Sequence, residues 1–213
     1  MNKSYGLIMS SPMILAYLAG RKNQTRRLKG LDFVNQNPDD WEFKGRNPAT
    51  DYRVTFQHRN NNVVMLIRPP YGWVHDLLYF KETYRMFERD DGRDFIKYRA
   101  DDQLVDPDWW TKEDWHKISS SWFEKWNSSM FMPQRFSRFR DLKVTSLRAE
   151  RLLDIDDTDA RNEGFIAKTG RVQQSCREAY LEFWDVLNGK KIPAAKNPWV
   201  WVYGFPFYQK EQK

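Results

Sequence analysis

Aromatic side chains constrain the fold of this chain more than any other feature. Ten Trp, ten Tyr and fourteen Phe are spread through 213 residues, and 40% of all residues are hydrophobic. Chains this rich in large apolar side chains bury them and do not stay disordered. Because Cys176 is the only cysteine, neither an internal disulfide nor a cysteine-based zinc site can form. We therefore expect one domain over residues 1–213 with a substantial core.

Helix and strand patterns alternate along the chain. Ser11 with Pro12 predicts the start of one helix, and Ser175 with Glu178, a capping box, predicts the start of another. A short helix is predicted just before Gly164. Strand patterns lie between them: YRVTFQ, VVMLIR, DLLYFKETYRMF, LKVTSLRAERL and PWVWVYGFPFY. This order predicts an α+β fold, a small barrel-like sheet with flanking helices. The apolar stripe of the last helix comprises Tyr180, Phe183, Trp184 and Leu187.

An acidic, Trp-rich segment at about 88–130 interrupts these patterns and predicts an insertion. Its tryptophans Trp115, Trp122 and Trp126 suit packing of a subdomain, and base stacking is the functional alternative.

The net charge of +6 favours a polyanionic partner, above all nucleic acid, although both signs of charge are dispersed. The apolar run near the N-terminus is too short for a signal peptide, and no apolar stretch approaches the roughly 20 residues of a membrane span. A cytoplasmic protein without membrane contact is expected. The three histidines, His58, His75 and His116, lack metal-ligand spacing, so neither a metal nor a cofactor is expected.

The basic segment after Gly20 is the first candidate site, and it has two interpretations. Arg21, Lys22, Arg26 and Arg27 form either a solvated basic turn or a site for phosphate or a nucleobase. Like charges around Lys22 would lower its pKa, which suits a general base. The hydroxyl of Thr25, three residues on, would serve as a nucleophile.

Two glutamates and two arginines complete the candidate residues. Glu163 ends the short helix, where a carboxylate is either exposed or placed to donate a proton. Glu82 shares a strand face with Leu78 and Phe80, which indicates either an inward carboxylate or a frayed strand end. Arg135 and Arg138 stand among aromatic residues, which suits phosphate and base contacts or a half-buried strand.

Several segments together resemble bacteriophage and prophage ASCH-domain proteins, over about Ile14 to Phe205. They are AGRKNQTRR, LLYFKETYR, SSMFMPQRFSRF, LKVTSLRAERLLDI, DARNEGF, LEFWDVLNGK and NPWVWVYGF. The resemblance implies a PUA-like β-barrel that binds RNA or a nucleobase. Some small bacterial ASCH proteins hydrolyse N4-acetylcytidine with a lysine base, a threonine nucleophile and a glutamate proton donor. Matched motif by motif, these are Lys22, Thr25 and Glu163.

This resemblance leaves several functions open. The first is an N4-acetylcytidine amidohydrolase in which Arg26, Arg27 and Arg138 hold phosphate or ribose, and Glu82 contacts a base edge. Arg21 and Arg135 would join this substrate-binding set. The second is a non-catalytic module for RNA, with DNA as a variant, or a metal-dependent ribonuclease with Glu82 and Glu163 as ligands. The third is a phage accessory protein that binds a host protein through the Trp-rich insertion, in the host cytoplasm.

Overall fold

The computed structural model describes residues 3–47, 49, 52–88, 94–105, 125–168 and 173–209. The α+β prediction is confirmed: small antiparallel sheets dominate, with few helices. The chain divides into two compact units. The first unit comprises residues 1–3, 16–77 and 143–213, and the second comprises residues 4–15 and 78–142. The prediction of one domain with an insertion stays a prediction, and residues 89–93 and 106–124 of that insertion, with Trp115 and Trp122, lie outside the described part.

Two three-stranded sheets form the first unit. One has the order β11–β12–β2 and the other β3–β4–β5, and all of their pairings are antiparallel. The strands are β2 (Gln24–Arg27), β3 (Trp41–Arg46), β4 (Val54–His58), β5 (Val64–Ile67), β11 (Ser146–Arg151) and β12 (Trp199–Gly204). The predicted strands in YRVTFQ and VVMLIR are confirmed as β4 and β5, which pair with each other.

Strand β12 is the centre of this unit, and all six of its residues are buried. Val200 and Val202 pack with the helices in one core cluster. On the opposite face the ring of Trp201 lies 6.4 Å from that of Phe56 on β4. Since side chains alternate across a strand, both faces of β12 are covered. The aromatic pattern of the sequence is thus used to fill two layers of core.

Two helices cover one face of the sheet. Helix α2 (Asp157–Asn162) begins where the Asp156 side chain accepts a hydrogen bond from the Asp159 backbone N–H at 2.7 Å. Helix α3 (Cys176–Asn188) begins with the predicted capping box of Ser175 and Glu178. Both helix predictions are confirmed. The apolar stripe is shorter than predicted, because Leu187 is 60% exposed near the end of α3.

The second unit contains two further three-stranded sheets, β1–β6–β10 and β7–β8–β9. Its strands are β1 (Ser4–Ile8), β6 (Leu77–Lys81), β7 (Tyr84–Glu88), β8 (Asp94–Tyr98), β9 (Leu104–Val105) and β10 (Leu142–Lys143). Helix α1 (Ser11–Leu18) follows β1, and its residues from Ala16 onward belong to the first unit. Its core cluster consists of Tyr84, Met86, Ile96, Tyr98, Met132 and Phe136.

Two long strand predictions were wrong in the same way. DLLYFKETYRMF forms two strands, β6 and β7, which belong to different sheets. Strand structure is interrupted between them at Glu82. LKVTSLRAERL forms β10 and β11, which also belong to different sheets. A continuous apolar pattern does not reveal where a chain changes sheets, because both strands keep the same alternation. Within the described ranges, no sheet closes into a barrel and no helix is long and apolar enough to cross a membrane.

Candidate functional site

The candidate site lies at strand β2, which forms one edge of its sheet in the first unit. Arg26 pairs with Val202, and therefore faces the helices together with Gln24. The Gln24 amide donates to the Asp159 carbonyl oxygen in α2 at 3.1 Å. Just before β2, Lys22 forms an isolated antiparallel bridge with Glu163. The basic segment is thus a strand docked against the end of α2, so the interpretation as a solvated turn was wrong.

Lys22 and Glu163 form a buried ion pair. The side chains of Lys22 and Glu163 are 1% and 3% exposed, and the Lys22 Nζ lies 2.8 Å from Glu163 Oε2. The same Nζ also donates to the carbonyl oxygens of Gln24 at 2.7 Å and Glu163 at 2.8 Å. All three ammonium hydrogens therefore have acceptors.

Burial sets the proton affinity of Lys22. Loss of solvation lowers the pKa of Lys22 below its ordinary value, although the Glu163 carboxylate acts in the opposite direction. Arg27 and Arg26 lower this pKa further, as smaller causes. The direction agrees with the sequence prediction. The main cause differs, since burial contributes more than the neighbouring cations.

Arg26 links the ion pair to two more carboxylates. Its guanidinium donates to Glu163 Oε1 at 3.2 Å, to Glu150 Oε1 at 3.0 Å and to Asp159 Oδ2 at 2.6 Å. Arg148 joins from the half-exposed side and donates to Asp159 Oδ2 at 2.7 Å. Three cations and three carboxylates thus form one network, in which the charges balance. Its members are Lys22, Arg26, Arg148, Glu150, Asp159 and Glu163.

The sequence interpretation missed Glu150 and Asp159. Glu150 pairs with Val200 on β12, whereas Arg26 pairs with Val202. Because Val200 and Val202 lie on the same face of β12, Glu150 and Arg26 share that face. The alternation of charged residues in RAER was the only local signal for Glu150. Burial raises the pKa of Asp159, but Arg26 and Arg148 lower it more strongly, and the net direction is downward.

Gly164 lets the end of α2 approach Lys22. Its φ of +103° is unfavourable for residues with a side chain. A Cβ at Gly164 would lie 2.6 Å from the Cβ of Ala16 and 3.4 Å from the Cβ of Lys22. The Gly164 carbonyl oxygen accepts a hydrogen bond from Arg21 Nη1 at 2.6 Å. Arg21 therefore holds the turn that carries Glu163.

Thr25 faces away from the ion network. It pairs with Tyr203 and therefore lies on the side of β2 opposite to Arg26. Within the part of the chain that the structure describes, no hydrogen bond joins the Thr25 hydroxyl to Lys22 or Glu163. The structure thus brings together Lys22 and Glu163 of the predicted catalytic set, and places buried Thr25 on the other face.

Asn23 lies two residues before Thr25, and its carbonyl oxygen accepts a hydrogen bond from the Phe205 N–H at 2.8 Å, which extends the pairing of the two strands. Because side chains alternate along a strand, Asn23 shares the face of Thr25. Among the described residues, its Oδ1 is buried and no group donates a hydrogen bond to it, which is an unfavourable state for an amide oxygen. Arg27, half-buried, pairs with Trp201 on the same side. Asn23 is a polar group near Thr25 that the sequence did not single out.

Glu82 and Arg138 form a second buried pair, within the second unit. Arg138 Nε donates to Glu82 Oε1 at 2.9 Å, and Arg138 Nη2 donates to Glu82 Oε2 at 2.8 Å. The guanidinium lies 4.3 Å from the centre of the Tyr98 ring and also donates to Asp101. Burial raises the pKa of Glu82, against the lowering effect of Arg138. Half-buried Arg135 lies 5.3 Å from the Phe136 ring. The inward orientation predicted for Glu82 is confirmed, since it is 1% exposed.

The carboxylates of both pairs are neutralised by cations. Among the residues that the structure describes, no group of three or more His, Cys, Asp or Glu side chains could hold a metal ion. Comparisons with protein-family models, with curated proteins and with solved structures each found no match.

Proposed function

We propose that this chain is an ASCH-type, PUA-like protein that binds a nucleobase or RNA and hydrolyses an N4-acyl amide of cytidine. The observation that carries the proposal is the 2.8 Å contact between buried Lys22 Nζ and Glu163 Oε2. The antiparallel sheets of the α+β fold are compatible with a PUA-like architecture.

A lysine and a carboxylate in contact suit amide hydrolysis because the reaction moves one proton in two steps. The nucleophile must lose a proton, and the departing amine must gain one. In the ion pair one proton must first shift from Lys22 Nζ to Glu163 Oε2. Neutral Lys22, favoured by its lowered pKa, then accepts the proton of the nucleophile, and Glu163 delivers its proton to the amine, which restores the ion pair. Lys22 and Glu163 are the two groups proposed for these transfers.

Thr25 stays the predicted nucleophile. Its oxygen would form a bond to the acyl carbon while the bond from that carbon to the exocyclic nitrogen breaks, and the amine leaves with the added proton. Water would then hydrolyse the Thr25 ester and release the carboxylic acid. Because Thr25 lies across β2 from Arg26, the alternative is direct attack by a water that Lys22 deprotonates.

The first experiment measures hydrolysis of N4-acetylcytidine with and without EDTA. We expect turnover that survives EDTA, and losses of at least about 100-fold in Lys22→Ala and Glu163→Gln. Thr25→Val distinguishes the Thr25 hydroxyl from water as the nucleophile. The variant would lose activity if Thr25 attacks and would retain it if water attacks. Lys190→Ala, an exposed change after α3, is the matched control. No turnover by folded wild-type protein would exclude this substrate.

A non-catalytic RNA-binding module is the second candidate, and the charge distribution favours it. The first unit carries 23 Lys and Arg residues against 16 Asp and Glu residues. RNA binding that weakens steeply with salt, without turnover, would support this function. Loss of activity on chelation would instead support the ribonuclease variant, in which Glu163 must release Lys22 to bind a metal.

A further inference from the structure

Two groups of aromatic and basic side chains lie on the first unit, and Tyr71 and Trp73, two residues apart in the chain, connect them. None of their members belongs to the ion network. Arg46 lies 5.9 Å from the centre of the Tyr52 ring and 5.4 Å from that of Trp73. Lys29 lies 5.7 Å from the centre of the Tyr71 ring. The Tyr52 and Trp73 rings are themselves 6.2 Å apart. We name these five residues the aromatic–basic surface.

Among the described residues, no carboxylate neutralises the cations of this surface. Lys22, Arg26 and Arg138 each bind carboxylates. By contrast, no ion pair within the described ranges involves Lys29 or Arg46, and both residues are exposed. Their contacts are with ring faces, which attract a cation and leave its positive charge available to an anion.

The rings are held in place from behind. The Tyr71 N–H donates to the Tyr203 hydroxyl at 3.1 Å, and the two rings meet edge to face at 5.7 Å. The backbone N–H of Trp73 donates to Asp76 Oδ2 at 2.9 Å. Tyr71 and Trp73 are half-buried, while Tyr52 is 44% exposed. The backbone therefore fixes two rings, and a third ring remains accessible beside them.

We propose that the aromatic–basic surface binds single-stranded RNA. Exposed rings and arginine planes stack on unpaired bases of any sequence, and neighbouring cations hold the phosphates. Stacking on the rings requires accessible base faces. An RNA duplex hides its base faces and an acidic peptide contains no bases, so neither would stack on these rings. The positive excess of this unit suits a polyanion. The choice of RNA over DNA rests on the proposed function.

The test is fluorescence anisotropy with a labelled 12-residue oligouridine, at several salt concentrations. We expect Tyr52→Ala to weaken binding by at least about fivefold, because one stacked base is lost. Arg46→Ala should weaken binding and reduce the salt slope by about 0.7, as expected for one phosphate contact on a single strand. Lys190→Ala removes the same charge outside the surface and should change the affinity little.

Three outcomes would overturn the proposal: unchanged binding in both Tyr52→Ala and Arg46→Ala, equal affinity for an RNA duplex, or tighter binding of oligothymidine. Hydrolysis of free N4-acetylcytidine, measured in parallel, separates this proposal from the proposed function. A loss of RNA binding in Tyr52→Ala with no turnover in any variant would establish the surface and reject the amidohydrolase.

Discussion

Lys22 donates all three of its ammonium hydrogens to acceptors within the fold. The hydrogen bonds and the Glu163 carboxylate stabilise the ammonium form of Lys22, whereas burial destabilises it. Burial has the larger effect, so the pKa of Lys22 is lowered. Removing one partner of a buried pair typically costs about 3–5 kcal/mol, because the other charge is left uncompensated. The pair therefore matters for stability whether or not it transfers protons.

The lowered pKa of Lys22 predicts a pH dependence of stability. Between its folded pKa and 10.5, the unfolded chain binds the proton more tightly than the folded chain, so the Lys22 contribution to stability rises with pH. We expect the free energy of unfolding of wild-type protein, relative to Lys22→Met, to increase as the pH rises from neutral towards 10.5. Urea unfolding at several pH values measures this difference. A constant difference would contradict the prediction.

Gly164→Ala should be clearly destabilising. The φ of +103° is strained for alanine, and the new Cβ would lie 2.6 Å from the Cβ of Ala16. We expect a loss of about 2–4 kcal/mol from strain and overpacking together. Gly20→Ala is the control, because φ there is +67° and nothing lies within 4 Å of the added Cβ. Equal losses in urea unfolding would show that the contact with Ala16 is unimportant.

At the scale of elements, α2 is attached to the sheet by charges as well as by apolar contacts. Ala160 packs in the helix–sheet core cluster. Asp159 binds Arg26 and Arg148, one turn before Glu163. A helix of six residues is too short to be stable alone, so these contacts fix the position of Glu163.

Asp159→Asn should change the response of the protein to acid. The pKa of Asp159 is lowered below 3.8, so its contribution to stability is present above pH 3.8 and is lost as the pH falls through the folded pKa. We expect wild-type protein to be more stable than Asp159→Asn at pH 6 and to lose that advantage below about pH 3.8. Thermal unfolding across this range tests it. An advantage that persists in acid would show that packing, not charge, matters at Asp159.

At the scale of the whole molecule, each compact unit has its own core and its own buried ion pair. Lys22 and Glu163 belong to the first unit, and Glu82 and Arg138 to the second. The excess of positive charge also lies in the first unit alone, because the second carries 12 basic and 13 acidic residues. We therefore expect polyanion binding and proton transfer to involve the first unit.

Arg138→Ala should loosen the second unit. Glu82 would remain buried without its bidentate partner, at a cost of about 3–5 kcal/mol. We expect faster hydrogen exchange in peptides of β6, β7 and β8, with little change in α2 and α3. The double variant with Glu82→Ala should recover part of the protection, because no buried charge remains. A uniform increase of hydrogen exchange across both units would contradict the prediction that the change is confined to the second unit.

The sequence by itself determined those elements whose signals are local. The capping box of Ser175 and Glu178 fixes the start of α3, and alternating aromatic residues fix β12. These signals act between residues a few positions apart, so they survive without knowledge of the fold. The α+β class followed from their order, and the inward orientation of Glu82 followed from alternation.

Only the tertiary structure decided how the candidate site is assembled. Lys22 and Glu163 are 141 positions apart, and their contact depends on how α2 docks against β2. Arg26 finds its carboxylates through the register of β11, β12 and β2, and the same register turns Thr25 to the opposite face. Register is set by the summed packing of whole strands, and a shift of one residue exchanges the two faces. Local patterns do not contain that information.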